Sequence, residues 1–573
     1  MRGAAGLASG LVFLLSLLLS TPSARGQADS TGTPEHPGTL DISPTPPTAV
    51  PPPPKPVISG TVPVGESIYR DLERLDALGL IPGSVLGQRP LARGEIARIL
   101  RRASNHPLAA KAPARDMLIR LRKEFPWQEG VEAQGVDEVR YGAAWLSDEP
   151  SRFLRNNGLG QLDALNQPLT ADRYGRYYRS NGGTAWLRTR HTIPMRSNML
   201  IALAPEFLVR FGEYDQTNVP NADSTSSDES DIQGDFTFQS IYGRFRAGPL
   251  LFHVGRDPVA WGPSPSGSLL LSNNARPLDM AYLTTESPFR LPWFLRALGP
   301  SRWFVGMAAL GEDRALSGSA LALLRASFRV HRTMELGFSE SLVMLGDGAP
   351  TDGFWQYLWE FFPAGRVGTD SDLADHRFGF DGRWHIWPGH VSLFGEILVE
   401  DARDGHYEDV TARRLGVYLP AIGPGGQWEA RGEFLRLPAI VYRHGRWTTG
   451  YALNGHLIGN DIGPDSRGAR VRFEKSGGEG QRTIFEFAWE ARDRDLWSQE
   501  VNDDGDYEDI YRVVDYPSEM RWRGRIGLEW PLTENTLCEP TATLERVQHV
   551  GGDPDVNRTD AMLELTFRYA FSR

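Results

Sequence analysis

From about Val136 to the end of the chain, hydrophobic and polar residues alternate with a period of two. In LELTFRYAF, Leu563, Leu565, Phe567, Tyr569 and Phe571 fall on one face, and Glu564, Thr566, Arg568 and Ala570 on the other. RIGLEW sets Ile526, Leu528 and Trp530 against Arg525, Gly527 and Glu529. RFGFDGRWHI sets Phe378, Phe380, Trp384 and Ile386 against Gly379, Asp381, Arg383 and His385. QWEARGEF, TIFEFAWE and SIYGRFRA repeat the pattern. Such alternation predicts β-strands with one apolar and one polar face. A soluble sandwich would turn its polar faces to water. A transmembrane barrel would turn its apolar faces to lipid and its charged faces to the lumen.

Alternation alone does not choose between these, but three further features do. Trp384 and Trp387, Trp428, and Trp522 and Trp530 gather near strand ends, as an interfacial girdle requires. The last strand is aromatic-rich, like an outer-membrane assembly signal, although Ser572 and Arg573 follow Phe571. Tight turns alternate with long acidic loops, Gly212–Asp235 and Arg492–Glu519 among them. The expected fold is therefore an all-β transmembrane barrel over residues 136–573. At roughly 24 residues per strand and connection, this length accommodates about 18 antiparallel strands. An even number leaves both barrel ends in the periplasm.

Upstream the period changes to that of a helix. Ile68, Leu72, Leu75 and Leu78 form one stripe, stopped by Gly79. Leu91, Ile96, Ile99 and Leu100 form a second, and Met117, Leu118, Leu121 and Phe125 a third. A small N-terminal α-helical bundle is expected over residues 60–130, packed against the barrel because three short helices alone are marginal. Arg98, Arg101, Arg102, Arg120 and Arg122 read as its solvated face. Residues 1–26 read as a secretory signal peptide, with the apolar core Leu11–Ser20 and cleavage before Gln27. No cysteine follows that site, so a lipoprotein anchor is not expected. Residues 27–59, with PTPPTAVPPPPKP, read as a proline-rich disordered linker.

Composition narrows the function classes. A net charge of -11 argues against nucleic-acid binding. The single cysteine, Cys538, excludes an intrachain disulfide and makes a cysteine-based metal site improbable. The 61 glycines fit a turn-rich β protein.

One stretch breaks the barrel texture. WGPSPSGSLLLSNNARP, Trp261–Pro277, is too densely punctuated by Gly and Pro for a strand or helix, yet carries Leu269, Leu270 and Leu271. Such a segment is expected to tuck inside the barrel. It presents Asn273, Asn274 and Arg276, whose planar amide and guanidinium groups suit sugar hydroxyls and uronates, and Trp261, a potential stacking platform. The same residues could instead brace a plug, their polar groups satisfied internally.

This stretch, with GRDPVAWG, LTTESPFRLPW, LFGEILVEDAR and GHLIGNDIGPDS, resembles the Wzi-like family of outer-membrane capsule-assembly proteins over most of residues 60–573. The resemblance implies a barrel of about 18 strands with a periplasmic helical bundle. It also implies binding of surface polysaccharide and a part in its assembly or attachment at the cell outer membrane. Expected partners are surface or capsular polysaccharide, outer-membrane lipid and the outer-membrane assembly machinery. The tether over residues 27–59 is not a feature of that family.

Polysaccharide-binding candidates are Trp261, Asn273, Asn274, Arg276, Glu396, Asp401, His456 and Asp461. Glu396, Glu400, Asp401 and Glu433 could form a glycosidase pair, but lumen ion pairs with Arg383 and Arg431 are the better expectation. His456, Asp461 and Asp465 could suggest a metal, but Gly455, Gly459 and Gly463 indicate turns. NDDGDYED, Asn502–Asp509, lacks the downstream spacing of a Ca²⁺ loop. No nucleophile elbow, phosphate loop or zinc motif occurs. No catalytic residue, cofactor or metal is expected. The alternative functions are a substrate-selective channel and a barrel-embedded glycan-active enzyme.

Overall fold

The computed structural model describes residues 58–111, 113–126, 135–147, 151–212, 232–264, 267–360, 373–400, 410–501 and 507–571. The expected signal peptide, most of the linker and Asp401 lie outside them.

Eighteen antiparallel strands close into a barrel. They are β1 (Gly135–Leu146), β2 (Gly182–Arg196), β3 (Met199–Phe211), β4 (Ile232–Ala247), β5 (Leu250–Asp257) and β6 (Leu278–Thr285). Then follow β7 (Pro300–Ala309), β8 (Ala320–His331), β9 (Met334–Met344), β10 (Ala374–Trp387), β11 (Val391–Glu400) and β12 (Thr411–Ile422). The last six are β13 (Trp428–Leu437), β14 (Ser466–Ser476), β15 (Arg482–Arg492), β16 (Glu519–Pro531), β17 (Thr536–Gln548) and β18 (Asn557–Ala570). The two-residue strand Phe289–Arg290 pairs with the start of β7 beyond the end of β6. Closure comes from β1 against β18, where Tyr141 faces Phe567 and Arg140 faces Arg568. Every wall strand then has two neighbours, so no sheet edge is left to lipid.

The alternation sorts the two faces as expected. Trp384, Phe380, Trp522, Ile526, Leu563 and Leu565 are exposed on the outside, while Arg383, Arg521, Glu545 and Arg377 are buried inside. Exposed apolar side chains in this pattern make a lipid-facing wall. Connections alternate too. Short turns join β2 to β3, β4 to β5, β8 to β9 and β10 to β11, and long segments join β1 to β2, β5 to β6, β13 to β14 and β15 to β16. The loop read as Arg492–Glu519 contains a two-stranded ribbon, Leu496–Val501 with Tyr507–Val514.

Three helices close the short-turn end: α1 (Ile68–Ala77), α2 (Arg93–Ser104) and α3 (Ala114–Glu124). Their apolar stripes meet in one core that includes Leu72, Leu75, Ile96, Leu100, Leu118 and Leu121. After α1 the Gly79 backbone lies at φ +81, a left-handed conformation glycine adopts without Cβ strain. Unlike an ordinary amphipathic helix, α1 also buries Asp71, Glu73, Arg74 and Asp76. Those charges enter the barrel mouth and pair with its wall. Asp71 meets Arg482, Glu73 meets Arg383 at 2.8 Å and Arg431 at 2.7 Å, and Arg74 meets Glu429 at 3.3 Å. Arg383 and Arg431 thus pair with the helical bundle rather than with the wall carboxylates expected from the sequence. Arg120, read as part of a solvated face, instead donates to Asp71 at 2.6 Å.

The lumen holds a second apolar core, with Trp261, Leu269, Leu270 and Leu271 against Tyr442, Tyr451, Leu453, Leu457 and Ile462. The β5–β6 and β13–β14 connections fold inward to form it. Gln88–Arg89, between α1 and α2, pairs antiparallel with Ala260–Trp261, joining the helical bundle to this inner core. No helix among the described residues is long and apolar enough to cross a membrane.

Candidate functional site

The described residues of Trp261–Pro277 lie inside the barrel, stitched to three neighbouring segments. Trp261 N–H donates to Leu271 O at 3.0 Å, and Gly262 N–H to Gly87 O at 2.9 Å. Ser272 Oγ donates to Gly459 O at 2.6 Å, and its N–H to Ile458 O at 2.9 Å. Gly175 N–H donates to Asn274 O at 2.9 Å, and a Cβ on Gly175 would sit 2.4 Å from Arg276 N. Only glycine allows that approach.

This packing assigns several candidate residues to bracing. Trp261 is fully buried, edge-on to Phe304 at 5.3 Å with the Arg325 guanidinium over its ring. Its ring is core and offers no platform to a sugar. Asn273 Nδ2 donates to Asp172 O at 3.3 Å, and Asn274 Nδ2 to Leu457 O at 3.1 Å. Glu396 accepts from Ser268 Oγ at 2.6 Å and Leu269 N–H at 2.8 Å, and pairs with Arg414 at 3.1 Å. Glu433 accepts from Ser264 Oγ at 2.9 Å, so both carboxylates position the inner segment. Glu400 pairs with Arg377 at 2.7 Å. Asp461 pairs with Arg470 at 2.8 Å. His456 is buried, its Nδ1 3.0 Å from Asn454 O, and burial lowers its pKa.

Arg276 differs from the rest. It stands at the long-loop end, part exposed, with Nε donating to Asn454 Oδ1 at 3.1 Å and Nη1 to Asp279 Oδ2 at 3.1 Å. Among the described residues no group of three His, Cys, Asp or Glu side chains could hold a metal.

A shallow recess, open at its mouth, lies at the same end. Three connections build it: Arg152, Phe153 and Asn166 after β1, Arg443 and Asp465 after β13, and Asp493–Asp495 and Glu519 around the β15–β16 connection. Arg492 closes its base. It is 3% exposed, donates from Nη2 to Glu490 at 2.8 Å, and leaves Nε and Nη1 without hydrogen-bond partners. Phe153 lies beneath its guanidinium, 5.6 Å from the ring centroid. Asn166 Oδ1 and Arg443 Nε are also unpartnered. Burial, with Asp493 and Asp495 nearby, pushes the Asp465 carboxyl up to about 7. Unsatisfied buried guanidinium and amide groups around a recess are the donors and acceptors a polar ligand would complete. The sequence reading missed Arg492, Arg443 and Asn166. The only local signal was that their loops are long.

The family model for the capsule assembly protein Wzi matches residues 162–561. The chain belongs to the Wzi capsule-assembly family. Among solved structures, this family member is similar to Wzi of Escherichia coli, described as an outer-membrane protein involved in group 1 capsule assembly and a carbohydrate-binding β-barrel. The two share 16% identity with a TM-score of 0.60, over 90% of this chain and 100% of the other. A curated relative, an uncharacterized 55.8 kDa protein in the cps region of Klebsiella pneumoniae, is 26% identical over 174 residues. That alignment covers 29% of this chain and spans about a third, 34%, of the relative. Family membership, the closed barrel and its exposed apolar wall make this Wzi family member an outer-membrane barrel.

Proposed function

We propose that this outer-membrane barrel binds surface polysaccharide at its long-loop end and takes part in assembling or attaching capsule at the cell surface. The observation that carries the reading is the outer recess, where Arg492 holds two unpartnered guanidinium nitrogens above Phe153. A guanidinium fork matches a uronate carboxylate, Asn166 matches hydroxyls, and the Phe153 ring offers an apolar surface to a sugar face. Arg276, part exposed beside Asn454, is a second contact on the same end of the barrel. Family membership and the carbohydrate binding described for the Escherichia coli relative support the same reading. The filled lumen leaves binding rather than conduction as the task of the loops, and the exposed apolar wall is the surface offered to outer-membrane lipid. The aromatic last strand supports partnership with the outer-membrane assembly machinery.

The test is retention of polysaccharide on cells that lack the chromosomal copy and carry the protein or its variants. Wild-type protein restores the cell-bound fraction, and Arg492→Ala restores less of it at equal surface level. Equal restoration by both would remove the recess from the site, and no effect of losing the protein would end the functional reading.

A further inference from the structure

A second, small recess lies at the opposite end, between the segment preceding α2 and the wall at β4, β6 and β7. Its charge is lopsided. Arg89, Arg244 and Arg302 line it, each at most 5% exposed. Each is anchored through its terminal nitrogens: Arg89 to Ser264 O at 3.0 Å and Gly262 O at 3.3 Å, Arg244 to Ser59 O, Arg302 to Glu286 O at 3.3 Å. In all three, Nε has no hydrogen-bond partner. Two more unpartnered atoms belong to the same lining, Gln88 Oε1 and Thr285 Oγ1. The nearby carboxylates have closer partners: Glu286 pairs with Arg246 at 2.9 Å, and Glu95 with Arg98, Arg302 standing 3.7 Å from it. Glu335, Asp257 and Glu73, which act on Arg302, Arg244 and Arg89, accept first from Gly87 N–H, Thr61 Oγ1 and Arg383.

Water could satisfy Gln88 and Thr285, but it would not offset three buried cations. An anion would offset them and accept from Thr285 Oγ1, since Arg presents donors matched to carboxylate and phosphate oxygens. Gln88 Oε1, itself an acceptor, would take a hydrogen from water or a ligand hydroxyl. Tyr282 and Phe304 add an apolar wall, their rings stacked at 4.4 Å. Pro90, Thr284 and Glu286 are only partly buried at the rim, where β6 ends and β7 begins beside their connecting turn. We propose that this recess is an anion site of the helical-bundle end, binding the carboxylate or phosphate of a sugar unit reached from the periplasmic side. It is separate from the outer recess and does not depend on the reading given for it.

The test is calorimetric titration of the purified full-length barrel with glucuronate, inorganic phosphate and glucose as probes. Saturable binding of glucuronate, of phosphate or of both is expected, with none for glucose, and the anion that binds names the source. Arg302→Gln should weaken that binding at least about tenfold, the range for one lost charge-assisted hydrogen bond. Thr285→Val removes only a hydroxyl and should weaken it several-fold, and it decides the matter should the arginine variant fail to fold. Absence of binding by either anion, equal binding of glucose, or wild-type affinity in a folded variant would overturn the assignment.

Discussion

Arg329 on the barrel wall and Asp76 on α1 form a two-pronged ion pair, Nη1 and Nη2 each donating to one carboxylate oxygen at 2.7 Å. Both side chains are buried, and His385 Nε2 stands 3.0 Å from the same carboxylate. With the Glu73 and Asp71 pairs, this contact fastens the helical bundle into the short-turn mouth. Asp76→Asn or Arg329→Met should each destabilise the docked state by up to about 3–5 kcal/mol, because the remaining buried charge loses its two-pronged partner and keeps only Glu335 or His385, respectively. The double variant should lose less than the sum. Unfolding midpoints in denaturant, followed by heat-modifiable migration in SDS gels, check this. Additive losses would show that the two residues act independently.

The same pair fixes a pH dependence. Burial alone would raise the Asp76 carboxyl, but Arg329 and His385 override it and hold it well below the carboxylate range. An acid with a lowered folded pKa stabilises above its unfolded value, 3.8, and loses that contribution as pH falls through the folded value. Docking should therefore be unchanged between pH 7 and 5 and weaken below about 4. Asp76→Asn should remove part of that acid sensitivity. Proteolytic accessibility of the helical bundle against pH is the measurement.

Asp465 shifts the other way. Its carboxyl, pushed up to about 7 by burial with Asp493 and Asp495 beside it, against the opposing Trp497 hydrogen bond and Arg443, takes a proton as pH falls from 8 to 6. The recess then loses one negative charge. Affinity for an acidic polysaccharide should rise over that interval, while a neutral glycan should show no such trend. Asp465→Asn should flatten the profile at its low-pH level, and a wild-type profile flat over pH 6–8 would dissociate Asp465 from binding.

Bracing and binding should separate by mutation. Asn274 Nδ2 is committed to Leu457 O, so Asn274→Ala should cost about 1–2 kcal/mol of stability and leave affinity per folded molecule unchanged. Arg492→Ala and Arg276→Ala should lower affinity roughly tenfold or more with the barrel intact. Glycan binding normalised to heat-modifiable protein distinguishes the two classes.

Conductance should be small or absent in planar bilayers. The core around Trp261, Leu270, Tyr442 and Leu457 fills the lumen, and α1–α3 close one mouth. Large, stable porin-like currents would contradict a plug that stays docked.

Alternation such as Leu563, Leu565 and Phe567 against Glu564 and Thr566 determined the wall by itself, because a strand's side chains face opposite sides whatever surrounds it. The three apolar stripes likewise determined the helices, and Leu269–Leu271 within a Gly- and Pro-broken segment determined that something apolar folds inward. Partners were a different matter. Glu73 is 310 residues from Arg383 and 358 from Arg431, and no local periodicity encodes which lumen cation a helix carboxylate will meet. Trp261 could be read equally as platform or core until the Gln88–Trp261 pairing placed it against Phe304 and Arg325. The outer recess needed Asn166, Arg443 and Arg492 brought together from three connections. Only barrel closure and the infolding of those loops set that proximity, since chain spacing constrains neighbours within a strand but not residues hundreds apart.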